Sequence, residues 1–351
     1  MDALARAIVA IPAHDEAERL PRALASLAGQ RGFGKDRRLP VLVLANNCRD
    51  ETAKLARAFA ALPEGAALDL HVVEIAFAAT EAHVGTARRK AMDLAAERVG
   101  AAGILLTTDA DVRLPPDWVA ANIAALDGAD IVGGRLVIDA AVADARAAFL
   151  HREIERYWSS VRAIEERLDP QPHDPAPRHG DHTGASLALR VATYREVGGL
   201  PPLPRGEDNA LVTRVVEAGG RLRHDPQVSV LVSDRAVGRV GGGMATEMAR
   251  RGAVLAGEEE YRLPEPAHWR RLVARRAALR GMWRQGPEAA EATLAGFGLP
   301  ADAIEDVAAR ECPNDIAFVE RAHRHLERRD APARLMPLAQ ALAEFASANV
   351  G

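Results

Sequence analysis

Two aspartates one residue apart, Asp109 and Asp111, stand directly behind an apolar run from Ile104 to Leu106. A buried strand ends in this way when it delivers polar groups to a sheet edge. Two carboxylates at such an edge suit a hard divalent cation, Mn²⁺ or Mg²⁺, with open positions left for substrate phosphates. Turn and capping chemistry is the plainer use of Asp-x-Asp, so the pair gains meaning only from other stretches of the chain. A second acidic pair, Glu207-Asp208, follows Pro204-Arg205-Gly206 and precedes Leu211, Val212, Val215 and Val216 at helical spacing. Carboxylates there favour the positive end of a helix dipole.

The elements that must position these groups alternate. Ala7 to Ile11, Val41 to Leu44, Leu70 to Ile75 and Ile104 to Thr108 read as strands. Between them, helix-period patterns run from Leu20 to Leu27, from Ala53 to Phe59 and from Val84 to Val99. Such alternation predicts a largely parallel sheet covered on both faces, with ligands bound at the carboxyl ends of the strands. The loop after the first strand, Pro12-Ala13-His14-Asp15-Glu16, is acidic and has no glycine. Neither a dinucleotide fingerprint nor a phosphate loop is built that way, and no Gly-Lys-Ser/Thr occurs.

Composition narrows the field further. A net charge of −4 over 351 residues argues against nucleic-acid binding as the main activity. Cys48 and Cys312 offer no disulfide framework, no basic-then-apolar leader opens the chain, and no apolar stretch approaches a membrane span. These features lead us to expect a cytoplasmic protein.

Past the first carboxylate pair, Ile131-Val132-Gly133-Gly134-Arg135 reads as a strand with a glycine bulge. Residues 141–168 read as a long helix with Phe149, Ile154, Tyr157, Trp158, Val161 and Ile164 on one face. The polar, proline-rich stretch from Asp169 to Asp181 has the composition of a mobile covering segment, and its His173 and His179 are expected in solvent. A strand from His182 to Arg190 follows. From Met244 onward the pattern is helical. Ala267 to Arg284 sets Trp269, Leu272, Val273 and Leu279 against Arg270, Arg271, Arg275, Arg276, Arg280 and Arg284. A basic amphipathic helix can make peripheral contact with an anionic membrane, or pack on its own domain with its arginines in water. The last helical segments suit a small bundle or a homo-oligomer surface.

The motifs in order are Ile-Pro-Ala-His-Asp-Glu-Ala, Leu-Ala-Asn-Asn-Cys-Arg-Asp-Glu-Thr, Gly-Thr-Ala-Arg-Arg, Thr-Asp-Ala-Asp, Gly-Ala-Ser-Leu-Ala-Leu-Arg with Val-Gly-Gly, and Gly-Glu-Asp. From about residue 6 to residue 240 this order resembles the family-two glycosyltransferases of the GT-A fold. The resemblance implies an α/β GT-A fold with a mixed, mostly parallel sheet covered by helices on both faces. It implies a catalytic domain over residues 1–240 and leaves 241–351 as a helical C-terminal extension. The implied activity is inverting, metal-dependent transfer of a sugar from a nucleoside diphosphate, with UDP-sugars favoured, to an acceptor hydroxyl. The implied cofactor is Mn²⁺ or Mg²⁺.

Carried over residue by residue, the resemblance places Pro12, Ala13, His14 and Glu16, with Asn46 and Asn47, around the nucleoside. It places Arg88 at the phosphates, Asp109 at ribose and metal, and Asp111 at the metal. Asp208 becomes the base, with Glu207, His182 and Gly184 at the acceptor or its loop. Arg235 and Arg239 become a lid over the diphosphate. Ala45-Asn46-Asn47 stands where many members carry an acid that reads uracil, and Arg89 where an asparagine is common. No Gln-x-x-Arg-Trp occurs, which speaks against a processive synthase. The competing readings are a nucleotidyltransferase of related topology, which the acidic first loop disfavours, and a non-catalytic sugar-nucleotide-binding protein.

Overall fold

Ala7, Ile8, Val9, Ala10 and Ile11 are all fully buried in the computed structural model, which describes residues 3–138, 145–232 and 244–348. A strand shielded on both faces needs an unbroken apolar run, and β1 (Ala7–Ala13) has one. Helices α1 (Leu20–Ala28), α2 (Thr52–Ala60) and α3 (Val84–Val99) alternate with β2 (Leu39–Asn46), β3 (Leu68–Ile75) and β4 (Ile104–Thr107). Each helical crossover returns the chain parallel. β1 pairs with β2 on one side and β4 on the other, and β3 lies outside β2. The carboxyl ends of β1, β2 and β4 therefore open on one edge, which gathers the loops that carry the polar motifs.

Beyond β4 the directions mix. α4 (Trp118–Ala125) leads to β5 (Ile131–Gly133) and β6 (Arg135–Ile138), and α5 (Ala145–Leu168) precedes β7 (Leu187–Arg190). β7 runs antiparallel to both β4 and β5. After α6 (Val191–Glu196) and α7 (Glu207–Glu217), β8 (Leu222–Arg223) joins β5, and β9 (Ser229–Val232) pairs with β6. Among the described residues the large sheet has seven strands in the order β3-β2-β1-β4-β7-β5-β8. Gly133 and Gly134 are not a simple bulge. They are the point where the chain leaves this sheet for the β6–β9 pair, and a β-carbon at either would strike Asp181 or Ser186. The strand expected from His182 shortens to β7, because residues 182–186 form the loop that crosses these glycines.

The chain divides into two compact units. One comprises Met1–Asp139, Pro177–Val215 and Gly220–Ser233; the other comprises Ala140–Ala176, Val216–Gly219 and Asp234–Gly351. The expected division placed residues 1–240 together, whereas here α5 groups with the C-terminal helices. The physical reason is its apolar stripe. Ile154, Tyr157, Val161 and Ile164 share one core with Tyr261, Leu263, Val273, Met336, Leu342 and Phe345. Phe149, expected on that stripe, is 58 % exposed.

The second unit continues through α8 (Met244–Ala256), β10 (Arg262–Pro264), α9 (Pro266–Trp283), α10 (Pro287–Gly296), α11 (Ala301–Val307), α12 (Asp315–Glu327), β11 (Leu335–Pro337) and α13 (Leu338–Ala348). α9 lends Val273 to the α5 core and Leu279 to a second core with Leu294, Val307 and Phe318. Its arginines meet carboxylates: Arg271 with Glu265, Arg275 with Asp330, Arg276 with Glu320, Arg280 with Asp169 and Asp315, and Arg284 with Asp315. Five of the six arginines named for that basic face are thus paired with carboxylates of their own unit. Asp169, which opens the proline-rich segment expected to be mobile, is buried under Arg280 at 2.9 Å. No helix among the described residues is long and apolar enough to cross a membrane.

Candidate active site

Asp15 and Asn47, just beyond the ends of β1 and β2, both have φ of 50°. Aspartate and asparagine tolerate that left-handed conformation better than other side-chain-bearing residues, which explains their presence at two sharp strand exits. The two loops are then stitched together. Asp15 Oδ1 accepts from the Arg49 and Asp50 N–H groups, Asp50 Oδ2 from Ala17 N–H, and Thr52 Oγ1 from Glu16 N–H. His14 Nδ1 lies 2.7 Å from the Asn46 carbonyl oxygen while the rest of the imidazole stays exposed. Two expectations shift here. The Asn47 amide exchanges two hydrogen bonds with the Phe77 backbone, so it ties down the loop after β3 instead of standing ready for a base. Glu16, expected beside the nucleoside, is buried at the start of the first helix, where its carbonyl accepts from Leu20 N–H.

Asp15, Cys48 and Asp50 bring one ligand atom each within 4.8 Å of one another. Carboxylate oxygens of Asp15 and Asp50 accept the backbone N–H groups just named, and burial pushes the Cys48 thiol up. This cluster holds the loops together.

Arg88 is the centre of the second half of the site. It lies on α3, whose first turn is capped by His83 Nδ1 accepting from Thr86 N–H. Its side chain is 3 % exposed. Nη2 donates to Asp109 Oδ1 at 2.6 Å, Nη1 to Thr107 Oγ1 at 3.1 Å and to the Gly184 carbonyl at 2.8 Å, and Nε to Glu207 Oε1 at 3.2 Å. Burial alone would depress the guanidinium. The charges of Asp109 and Glu207 outweigh it and hold Arg88 above its ordinary range, hence always protonated. Arg88, expected at the phosphates, has its guanidinium enclosed among these protein acceptors.

Asp208 sits beside this hub. Its Oδ2 accepts from Gly184 N–H at 2.7 Å and its Oδ1 from Asn209 N–H at 2.8 Å. Gly184 is thus gripped on both sides, carbonyl by Arg88 and N–H by Asp208. Thr108 Oγ1 adds a bond of 2.7 Å to the Ala185 carbonyl, fixing the same loop to the end of β4. Glu207 is buried and faces Arg88, so of the Glu207-Asp208 pair only Asp208 is partly exposed. His182 Nδ1 lies 3.1 Å from His224 Nε2, and the His179 ring packs edge-on to His224. His179, expected in solvent, is buried. Thr107, Thr108 and His224 went unrecognised in the sequence, since a threonine ending a strand and a lone histidine carry no signal by themselves. Arg235 and Arg239 lie outside the described residues.

One guanidinium answers three carboxylates here, Asp109, Glu207 and, at longer range, Asp208. The side chain of Asp109 is 38 % exposed at the open edge, with half-buried Asp111 two residues on. The excess negative charge, on hard oxygen ligands at the strand end, fits a divalent cation.

The family whose model matches is glycosyl transferase family 2, over residues 8–173. This stretch holds β1 to β4, the two stitched loops and the Asp109-Asp111 pair. Residues 8–173 are thus similar to a family-two glycosyltransferase domain, which supports an enzyme of the glycosyltransferase class. Among curated proteins none has a matching sequence. Solved structures that it resembles include residues 1–349 of S. aureus TarS, with 12 % identity, TM-score 0.46, and coverage of 95 % of this chain and 96 % of that one. The mannosyltransferase PcManGT from Pyrobaculum calidifontis, in complex with GDP-Man and Mn²⁺, has 19 % identity, TM-score 0.48 and coverage of 93 % and 88 %. Glucosyl-3-phosphoglycerate synthase of M. tuberculosis has 14 % identity, TM-score 0.41 and coverage of 73 % and 84 %.

Proposed function

We propose that the chain transfers a sugar from a nucleoside diphosphate, uridine preferred, to an acceptor hydroxyl with inversion at the anomeric carbon. The observation that carries this reading is Asp208, a partly exposed carboxylate at the first turn of α7, fixed by Gly184 N–H in the hydrogen-bonded cluster that reaches Asp109. In this reading Asp208 takes the proton of the acceptor hydroxyl as its oxygen attacks in line. The new carbon–oxygen bond forms while the bond to the diphosphate breaks, and the electron pair of that bond leaves with the diphosphate. A single carboxylate suffices, because no covalent sugar intermediate is formed.

Asp109 and Asp111 would hold Mn²⁺ or Mg²⁺ at the open edge. When bound, the cation supplies charge stabilisation for the departing diphosphate. With the Asn47 amide engaged by Phe77, recognition of the base falls to Asn46 and to the backbone of the loops after β1 and β2. We therefore expect UDP to be favoured over GDP by a small factor only.

The test is a thermal-shift panel of nucleoside diphosphates with Mn²⁺ or with a chelator, since a ligand bound by the native state alone raises the unfolding temperature. UDP with Mn²⁺ is expected to give the largest shift. No shift with any nucleoside diphosphate refutes the donor class; a larger shift with GDP reverses the choice of base.

A further inference from the structure

We propose that Arg88 is a positioning residue that couples the donor end of the site to the base: its guanidinium is the group that touches both the metal-side carboxylate and the loop that orients Asp208. The inference rests on the reading of Asp208 and Asp109 given above and assigns to Arg88 a task other than binding phosphate. On the donor side, Arg88 Nη2 holds Asp109 Oδ1 at 2.6 Å. On the base side, Nη1 holds the Gly184 carbonyl at 2.8 Å, and the N–H of the same glycine holds Asp208 Oδ2 at 2.7 Å. Nε reaches Glu207 Oε1 at 3.2 Å, one residue before the base in the first turn of α7.

The fork geometry matters. A guanidinium presents donors in fixed directions and so fixes the relative positions of every acceptor it meets, which a single ammonium point charge cannot do. Burial sharpens this. With Arg88 and Glu207 both shielded from solvent, water cannot substitute for a lost partner, so a shift at Asp109 is transmitted to Gly184 and Glu207. No space is left for slack either, because a β-carbon on Gly184 would stand 2.5 Å from Arg88 Cζ. Loading of the donor at Asp109 and orientation of Asp208 then share one rigid part.

The experiment uses the full chain and two variants, Arg88→Lys and Glu207→Gln. Binding of UDP with Mn²⁺ is measured by calorimetry. kcat comes from hydrolysis of whichever donor the wild type turns over fastest in a panel of UDP- and GDP-sugars. Amide hydrogen exchange is followed over residues 182–187. In Arg88→Lys, kcat is expected to fall by roughly 100-fold, the size of a misdirected general base. The dissociation constant of UDP with Mn²⁺ should stay within about threefold, and residues 182–187 should exchange faster. Glu207→Gln keeps the guanidinium and its Asp109 contact, so it should show the same split to a smaller degree; it decides the matter if Arg88→Lys does not fold.

Equal losses of affinity and kcat would make Arg88 a direct diphosphate ligand and overturn the proposal. Unchanged kcat and unchanged exchange in a folded variant would overturn it as well. A wild type that binds no nucleoside diphosphate and hydrolyses no donor fails at an earlier point, in the functional reading itself, and is distinguished by that.

Discussion

Gly184 lies so close to Arg88 that a β-carbon built on it would stand 2.5 Å from the guanidinium carbon. Neither side can yield, since Arg88 is held by three other acceptors and Gly184 is tied through both its N–H and its carbonyl. Gly184→Ala should therefore cost about 1–3 kcal/mol of stability, the usual range for overpacking. It should also lower turnover beyond what the lost stability explains, because the displaced loop carries the hydrogen bond to Asp208. Thermal unfolding and kcat on the same preparation check this; a variant with wild-type values for both would mean the loop relaxes freely.

Asp111→Asn should abolish the metal-dependent part of UDP binding while the fold persists. Asp111 is half-buried just past the end of β4. Calorimetry with and without Mn²⁺ measures the difference, and a folded variant with intact metal-dependent affinity would remove Asp111 from the cation site.

Asp208→Asn should lower kcat by roughly 10²- to 10⁴-fold, the usual contribution of a general base, with UDP affinity little changed. The amide keeps a carbonyl oxygen for Gly184 N–H, so the loop and the helix start survive. A variant that retains near-normal turnover would move the base elsewhere, with His182, paired to His224, next to be examined.

Acid should destabilise the chain through His323. Burial depresses this imidazole below its ordinary value of 6.5, Arg276 adding to the effect, and its Nδ1 has no hydrogen-bond partner among the described residues. His268 is depressed for the same reasons, burial first and then Arg271. The sign follows from linkage. The unfolded chain binds these protons more readily than the folded one, so stability is retained above pH 6.5 and is lost as the pH falls below it towards the folded values. Unfolding temperatures measured between pH 8 and pH 5 should drop less in His323→Gln than in the wild type. Parallel curves would mean that other groups carry the acid sensitivity.

Much of the framework was legible from residues alone. Unbroken apolar runs announced β1, β2 and β4 because strands covered on both faces admit nothing else, and the helical period set α3 at Val84–Val99. Asp109 and Asp111 were placed at a strand end by the same logic. What the side chains of Arg88, Asn47 and Glu16 face was not legible. Arg88 meets Gly184 and Glu207 across 96 and 119 residues of chain, and Asn47 meets Phe77 across 30. The direction of a polar side chain is settled by which distant segment packs over it, and no local pattern encodes that. The same holds for α5, whose apolar stripe reads identically whichever core it joins. Local sequence determined which residues form strands and helices, because period and turn chemistry act over a few residues. Tertiary structure decided which polar groups are enclosed, like Arg88 and Glu207, and which, like Asp208, stay partly exposed, because burial and ion pairing depend on neighbours brought from far along the chain.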